Sequence, residues 1–353
     1  MKKIAILTIN DDTNVGNRLQ NYAVQETLKK LNFTVETIEN KLNLAGIRYI
    51  KKIFKCFIKL LVSPINKTYI RYIKYNLFNI KYIKYSKYKI DKNHIPSKLS
   101  EKYDAFVTGS DQVWNPNFGR MSDIDFLTFA PKDKRNSFSA SFGISSIPDN
   151  MKEYYKTKLL GIKNISVREE RAKEIVMELT ERNDVEVLLD PTMMLSAEEW
   201  NLIIRKPKKF KNNRYVLNYF LGNINDEINE KIKKIAEENN CTIINVLDIN
   251  NPLYAIDPSE FLYLIKNAFL VCTDSFHGSV FSILYNRPFI VYDRQDEFEN
   301  MNSRIETLLN KFKLTSRKYD GKITKELLEV DYNETYQILE EEREKTYKFL
   351  KKF

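Results

Sequence analysis

The sequence predicts an α/β protein made of two Rossmann-like, doubly wound domains facing a cleft. Three observations carry this. Short apolar, β-prone runs alternate with stretches of helical periodicity. The alternation breaks at a charged run, Arg205 to Arg214, and then restarts. Several β-prone runs end in loops rich in Ser, Thr, Asn, Asp and Gly, where ligands of open parallel sheets bind. We divide the 353 residues into a first domain, 1–195, with a basic amphipathic insert at 41–93, and a second domain, 196–333. A charged helix, 334–353, is expected to return to the first domain.

Lys2 to Thr8 reads as the opening strand. A polar loop with a single glycine, Gly16, follows, so no dinucleotide fingerprint is present. Asn17 is the expected cap of a helix running to Leu31, and Phe33 to Glu39 alternates as a second strand. Beyond the insert, Tyr103 to Thr108, Asn136 to Phe142, Asn164 to Val167 and Val185 to Leu189 complete the first sheet. Ser196-Ala197-Glu198-Glu199 then has the form of a capping box. Strand Tyr215 to Phe220, helix Asp226 to Asn239, strand Thr242 to Leu247 and helix Ser259 to Lys266 open the second domain. Ala268 to Cys272 is a buried parallel strand, followed by a turn, a helix from Ser279 to Tyr285 and strand Phe289 to Tyr292.

Composition narrows the function. The odd cysteines, Cys56, Cys241 and Cys272, show no ligand spacing, which argues for a reducing, cytoplasmic setting without disulfides or zinc. The basic, apolar N-terminus is too short for a signal peptide and runs directly into Asp11-Asp12. No run of about 18 apolar residues suits a membrane span. The net charge of +10 is concentrated: Lys41 to Ile90 holds thirteen Lys or Arg and no Asp or Glu.

Of two histidines, His277 sits in Thr273-Asp274-Ser275-Phe276-His277-Gly278, on a strand-to-helix turn at a carboxyl edge. It is the proton carrier whose ordinary pKa lies nearest neutrality. Arg168, Arg294 and Arg18 are the cations available to such loops, and paired arginines suit a small, doubly charged anion.

At this point the chain resembles the polysaccharide pyruvyl transferase family. The resemblance runs through Gly16-Asn17-Arg18-Leu19-Gln20-Asn21-Tyr22-Ala23, Gly109-Ser110-Asp111-Gln112-Val113-Trp114-Asn115 and Ser139-Ala140-Ser141-Phe142-Gly143. It continues through Ile165-Ser166-Val167-Arg168-Glu169, Leu189-Asp190-Pro191-Thr192 and Thr273 to Gly278. It implies a GT-B-like fold and transfer of the enolpyruvyl group of phosphoenolpyruvate onto a sugar as a pyruvate ketal, with phosphate released. The acceptor would be a cell-surface glycan or its lipid-linked precursor. His277, Arg168 and Asp274 are then the expected catalytic residues, with Asp274 orienting the imidazole, taking a hydroxyl proton or simply capping the turn. Arg168, Arg294, Ser275 and Gly278 would bind the donor. Asn17, Arg18, Ser110, Asp111 and Trp114 would bind the acceptor. No metal or resident cofactor is expected.

Two rival functions remain open at this level: a glycosyltransferase using a nucleotide sugar, and a non-catalytic membrane-associated scaffold. The basic segment interleaves its charges with aliphatic residues and tyrosines. Ile50, Ile53, Phe54, Phe57, Ile58 and Leu61 fall at helical spacing, as in a helix lying on an anionic membrane surface. Residues 41–90 would then hold the enzyme to the inner face of the plasma membrane. A solvated insert is the plain alternative, and no nucleic-acid motif supports nucleic-acid binding.

Overall fold

The protein is described from a computed structural model covering residues 1–10, 13–40, 66–211, 213–294 and 303–353. It divides into two units. The first comprises residues 1–66, 79–195 and 342–353, and the second comprises residues 67–78 and 196–341.

In the first unit, β1 (Lys3–Leu7) leads into α1 (Val15–Lys30) and β2 (Thr34–Asn40). Helix α2 (Lys67–Tyr82), whose residues 67–78 belong to the second unit, precedes β3 (Tyr85–Ile90), and β4 (Ala105–Thr108) and β5 (Arg135–Ser137) follow. These strands form a parallel sheet in the order β3-β2-β1-β4-β5. The chain winds outward from β1 on one side and resumes at β4 on the other, so the switch point lies between β1 and β4. Helix α3 (Lys152–Leu159), β6 (Ser166–Val167), α4 (Glu170–Thr180) and β7 (Glu186–Val187) come next. β6 and β7 pair with each other, and isolated bridges tie them to the neighbourhood of β5, so the predicted last strands form a small separate ladder.

In the second unit, a short helix α5 (Ala197–Asn201) has the predicted capping box of Ser196 and Glu199. It precedes β8 (Tyr215–Tyr219), α6 (Asp226–Glu238), β9 (Thr242–Asn245), α7 (Pro258–Lys266) and β10 (Leu270–Thr273). Helix α8 (Phe276–Leu284), β11 (Phe289–Val291), α9 (Ser303–Lys311) and α10 (Asn333–Leu350) complete it. The parallel order is β11-β10-β8-β9, which puts the second switch point between β8 and β10. The end of α10 belongs to the first unit. There Arg343 donates to the carbonyls of Met193 (2.7 Å) and Leu195 (2.9 Å), and Lys345 donates to that of Val187 (3.0 Å).

Two expectations change. The cap of α1 is Asn14, whose side chain accepts from the amide of Asn17; the two asparagines are three residues apart and both suit a cap by type. The basic insert is in part structural framework. β3 is an edge strand of the first sheet, and the start of α2 belongs to the second unit. Lys67 donates to the carbonyls of Ile249, Asn250 and Asn251, Arg71 to Tyr254 O (3.0 Å), and Lys74 pairs with Glu260 (2.7 Å). The expected amphipathic stretch from Ile50 to Leu61 lies outside the described residues. Among the described residues no helix is long and apolar enough to cross a membrane.

Candidate active site

In the first unit the loop after β4 is shaped by close approach. Gly109 has φ 102°, and a Cβ there would meet Phe138 O at 2.5 Å. Asp111, at φ 72°, accepts the next amide, that of Gln112, at 2.8 Å. Its Oδ1 also receives Arg168 Nη2 at 3.4 Å, while Arg168 Nη1 donates to Asp190 Oδ2 at 2.7 Å. Asp190 Oδ1 accepts from the Thr192 amide (3.0 Å) and hydroxyl (2.6 Å). Ser110 Oγ lies 2.9 Å from Ser139 O and 3.1 Å from Asp190 Oδ2. Thr8 Oγ1 donates to Ser110 O (3.1 Å) and accepts from Gln20 Nε2 (2.7 Å), joining this network to α1, where Asn17 and Arg18 are buried. Glu169 adds a buried carboxylate held by Ser141 Oγ at 2.8 Å and Phe142 N at 3.2 Å.

The Arg168 side chain is 1 % exposed and its Asp190 partner 0 %. Burial alone would lower the arginine pKa, but Asp190, Asp111 and Glu169 outweigh it and hold the pKa above the ordinary value. Arg168, expected to offer its guanidinium to a donor anion, thus lies in a buried ion cluster with Asp190 and Asp111.

Trp114 is also corrected. It is fully buried, donates Nε1–H to Asp125 O at 3.0 Å and stacks on Phe126 at 5.7 Å, so it is a core residue and not an acceptor contact. Ser110 likewise spends its hydroxyl within the network.

In the second unit the predicted residues converge at the switch point. Ser275 caps α8, and the helix begins at Phe276, which places His277 in its first turn and not in the loop before it. Thr273 Oγ1 donates to Tyr219 O at 2.6 Å and accepts from the Ser275 amide at 3.0 Å, tying the ends of β8 and β10 together. Gly278 is required there because a Cβ would come within 2.5 Å of Thr273 Oγ1. Asp274 spans the two loops: Oδ1 accepts from Leu221 N and Oδ2 from Gly222 N, both at 2.7 Å. Arg294 Nε donates to the same Oδ2 at 3.4 Å. Gly222 leaves room for this, since a Cβ would meet Arg294 Cγ at 2.8 Å. His277 is 8 % exposed and its ring meets Phe276 edge-on at 5.4 Å. The other histidine, His94, is bound through Nδ1 to Asp91 at 2.9 Å, on the far side of the sequence from this turn.

The sequence missed three participants: Asp190 and Glu169 around Arg168, and Gly222 beneath Arg294. Asp190 and Glu169 stood inside the quoted motifs, but only the topology shows what their side chains meet.

Two parallel sheets, each with its polar loops gathered at a switch point, make a two-unit, doubly wound α/β architecture. Solved structures of that type resemble the chain throughout. A Listeria monocytogenes protein described as a UDP-N-acetylglucosamine 2-epimerase gives a TM-score of 0.52 at 11% identity, covering 99% of this chain and 90% of its own. S. aureus MnaA, solved with UDP, gives 0.50 at 12% identity, covering 99% and 91%. The fold is GT-B. A comparison with curated proteins gives no match. The family model for polysaccharide pyruvyl transferase matches residues 14–296, and the chain belongs to that family.

Proposed function

We propose that the protein uses phosphoenolpyruvate to place a pyruvate ketal on a sugar of a cell-surface glycan or its lipid-linked precursor. The observation that carries this is the second-unit switch point, where Asp274 holds Arg294 and the Leu221-Gly222 loop just before α8, whose first turn carries His277. A helix N-terminus and an arginine favour an anion. His277, when protonated, supplies a general acid within that setting.

The chemistry balances on these groups. His277 gives its proton to the methylene carbon of phosphoenolpyruvate, leaving an oxocarbenium-like centre at the adjacent carbon. One sugar hydroxyl adds there and loses its proton. A second hydroxyl of the same sugar forms the other C–O bond as the bond to phosphate oxygen breaks, and its proton is also released. Of the two hydroxyl protons one restores the imidazolium and the other leaves with phosphate. Arg294 offsets charge on the donor and on the departing phosphate. Asp274 acts as a positioning residue, fixing Arg294 and the Leu221-Gly222 loop. Arg168 positions the Gly109–Asn115 loop through Asp111 and Asp190, and Asp111, Asn17 and Arg18 remain the first-unit groups closest to an acceptor role.

Incubation with phosphoenolpyruvate and a panel of galactose, glucose and N-acetylmannosamine glycosides, read by mass spectrometry with phosphate release, tests the reading. A ketal-bearing product with equimolar phosphate supports it. Consumption of UDP-sugars with no use of phosphoenolpyruvate would favour glycosyl transfer instead.

A further inference from the structure

Helix α2 carries its aliphatic residues on the outside. Its inward face consists of Arg71, Tyr75, Phe78 and Asn79, all buried. Ile70, Ile73, Leu77 and Ile80 recur at intervals of three and four, so they form one stripe along the side away from that face. Leu77 is 58% and Ile80 78% exposed, while Ile70 and Ile73 are half-buried. The helix cannot easily roll to hide them. Lys67, Arg71 and Lys74 bind carbonyls and Glu260 of the second unit, as described above, and Arg71 also lies over the rings of Tyr75 (5.3 Å) and Tyr254 (5.1 Å). Rotation would withdraw a buried guanidinium from all of these.

The surroundings of the stripe are basic. Lys81 falls beside it on the same side of the helix, and exposed Lys84 and Lys87 follow on the way into and along β3. No acidic residue occurs between Lys67 and Ile90. Lys84 approaches Glu36 only at 3.8 Å, with its side chain 54% exposed. A second copy of the chain docked stripe to stripe would bring like charges together. A surface that is apolar within and anionic at its rim suits the arrangement.

We propose that the Ile70–Ile73–Leu77–Ile80 stripe seats the protein on an anionic lipid surface, with Lys81, Lys84 and Lys87 at the headgroups. The stripe enters the boundary of the acyl chains and the ammonium groups remain among the phosphates. This does not depend on the pyruvyl transfer reading, although it would bring the enzyme to a lipid-linked acceptor.

Deleting residues 41–93 is not a clean test, because α2 and β3 would go with them. Point variants of exposed side chains serve better. The full chain, Leu77→Gln/Ile80→Gln and Lys81→Gln/Lys87→Gln are co-sedimented with vesicles of phosphatidylcholine alone and with added phosphatidylglycerol, at low and high salt. Thermal melts confirm that each variant is folded. The full chain is expected to prefer the phosphatidylglycerol vesicles by about tenfold or more, and each double variant to lose about tenfold. Salt should weaken the binding without abolishing it, since burial of the stripe is not screened. Failure to sediment, indifference to lipid charge, or variants that bind as the full chain does would overturn the proposal. Concentration-dependent self-association removed by Leu77→Gln/Ile80→Gln would overturn it too, by showing that protein covers the stripe.

Discussion

At the carboxyl edge of the first sheet Arg168 meets Asp190 and Asp111, with Glu169 close behind; at that of the second, Arg294 meets Asp274. Asp274 is in addition shared with two backbone amides. Both edges are switch points of parallel sheets, and both bring an arginine to an aspartate. The difference lies in burial and in the partners of the aspartate. Arg168 is enclosed with Asp190 and Asp111, its side chain 1 % exposed. Around Arg294 the aspartate is partly offset by amide dipoles, and the start of α8 adds positive potential. The reading proposed above puts the anionic donor at the second edge.

The largest expected effect separates the two arginines by stability. Arg168→Ala leaves Asp190 buried without its charge partner, which should destabilise the protein by about 3–5 kcal/mol. Arg294→Ala removes a longer contact at a less buried position and should cost about 1 kcal/mol or less. Denaturant unfolding of both variants measures this, and equal losses would erase the distinction.

The second effect concerns chemistry. His277→Ala should lower turnover with phosphoenolpyruvate by about a hundredfold, roughly 2.7 kcal/mol, while fold and donor binding persist. Near-normal turnover would move the proton to another group.

A third effect, confined to one pH window, sharpens the picture of a first unit built on buried carboxylates. Burial pushes the Asp125 carboxyl up to about 6, against the lowering influence of Arg120 and Ser122. The folded state therefore holds this proton more tightly than the unfolded chain does. Its stabilising contribution is full below the ordinary carboxyl pKa and is lost as pH rises to about 6, a change of about 3 kcal/mol. Asp125→Asn should flatten that part of the stability profile. An unchanged slope between pH 4 and 6, measured by denaturant unfolding of the variant at about those pH values, would contradict it.

Much of the framework was legible in the sequence. Short apolar runs located β1, β4, β8 and β11, which are buried almost throughout; alternation located β2, and helical patterns located α6 and α10. The site was legible by neighbourhood more than by contact. Trp114 sits among polar residues, and only the fold shows that its ring turns inward onto Phe126. Arg168 and Asp190 are separated by a helix and a strand, so their pairing follows from how those elements pack. Arg71 and its flanking lysines fell within the segment expected to bind a membrane surface, since nothing in a basic helix announces carbonyls waiting for it elsewhere in the chain.

Calorimetric titration with phosphoenolpyruvate tests the central claim, that the donor anion is held at the second-unit switch point by Arg294. The wild-type protein and Arg294→Ala are titrated under the same conditions, with UDP as the competing probe. One phosphoenolpyruvate is expected to bind per chain, and the variant to bind it at least about tenfold more weakly, the loss of one charge-assisted contact. Undiminished binding by Arg294→Ala, or UDP bound while phosphoenolpyruvate gives no heat, would contradict it.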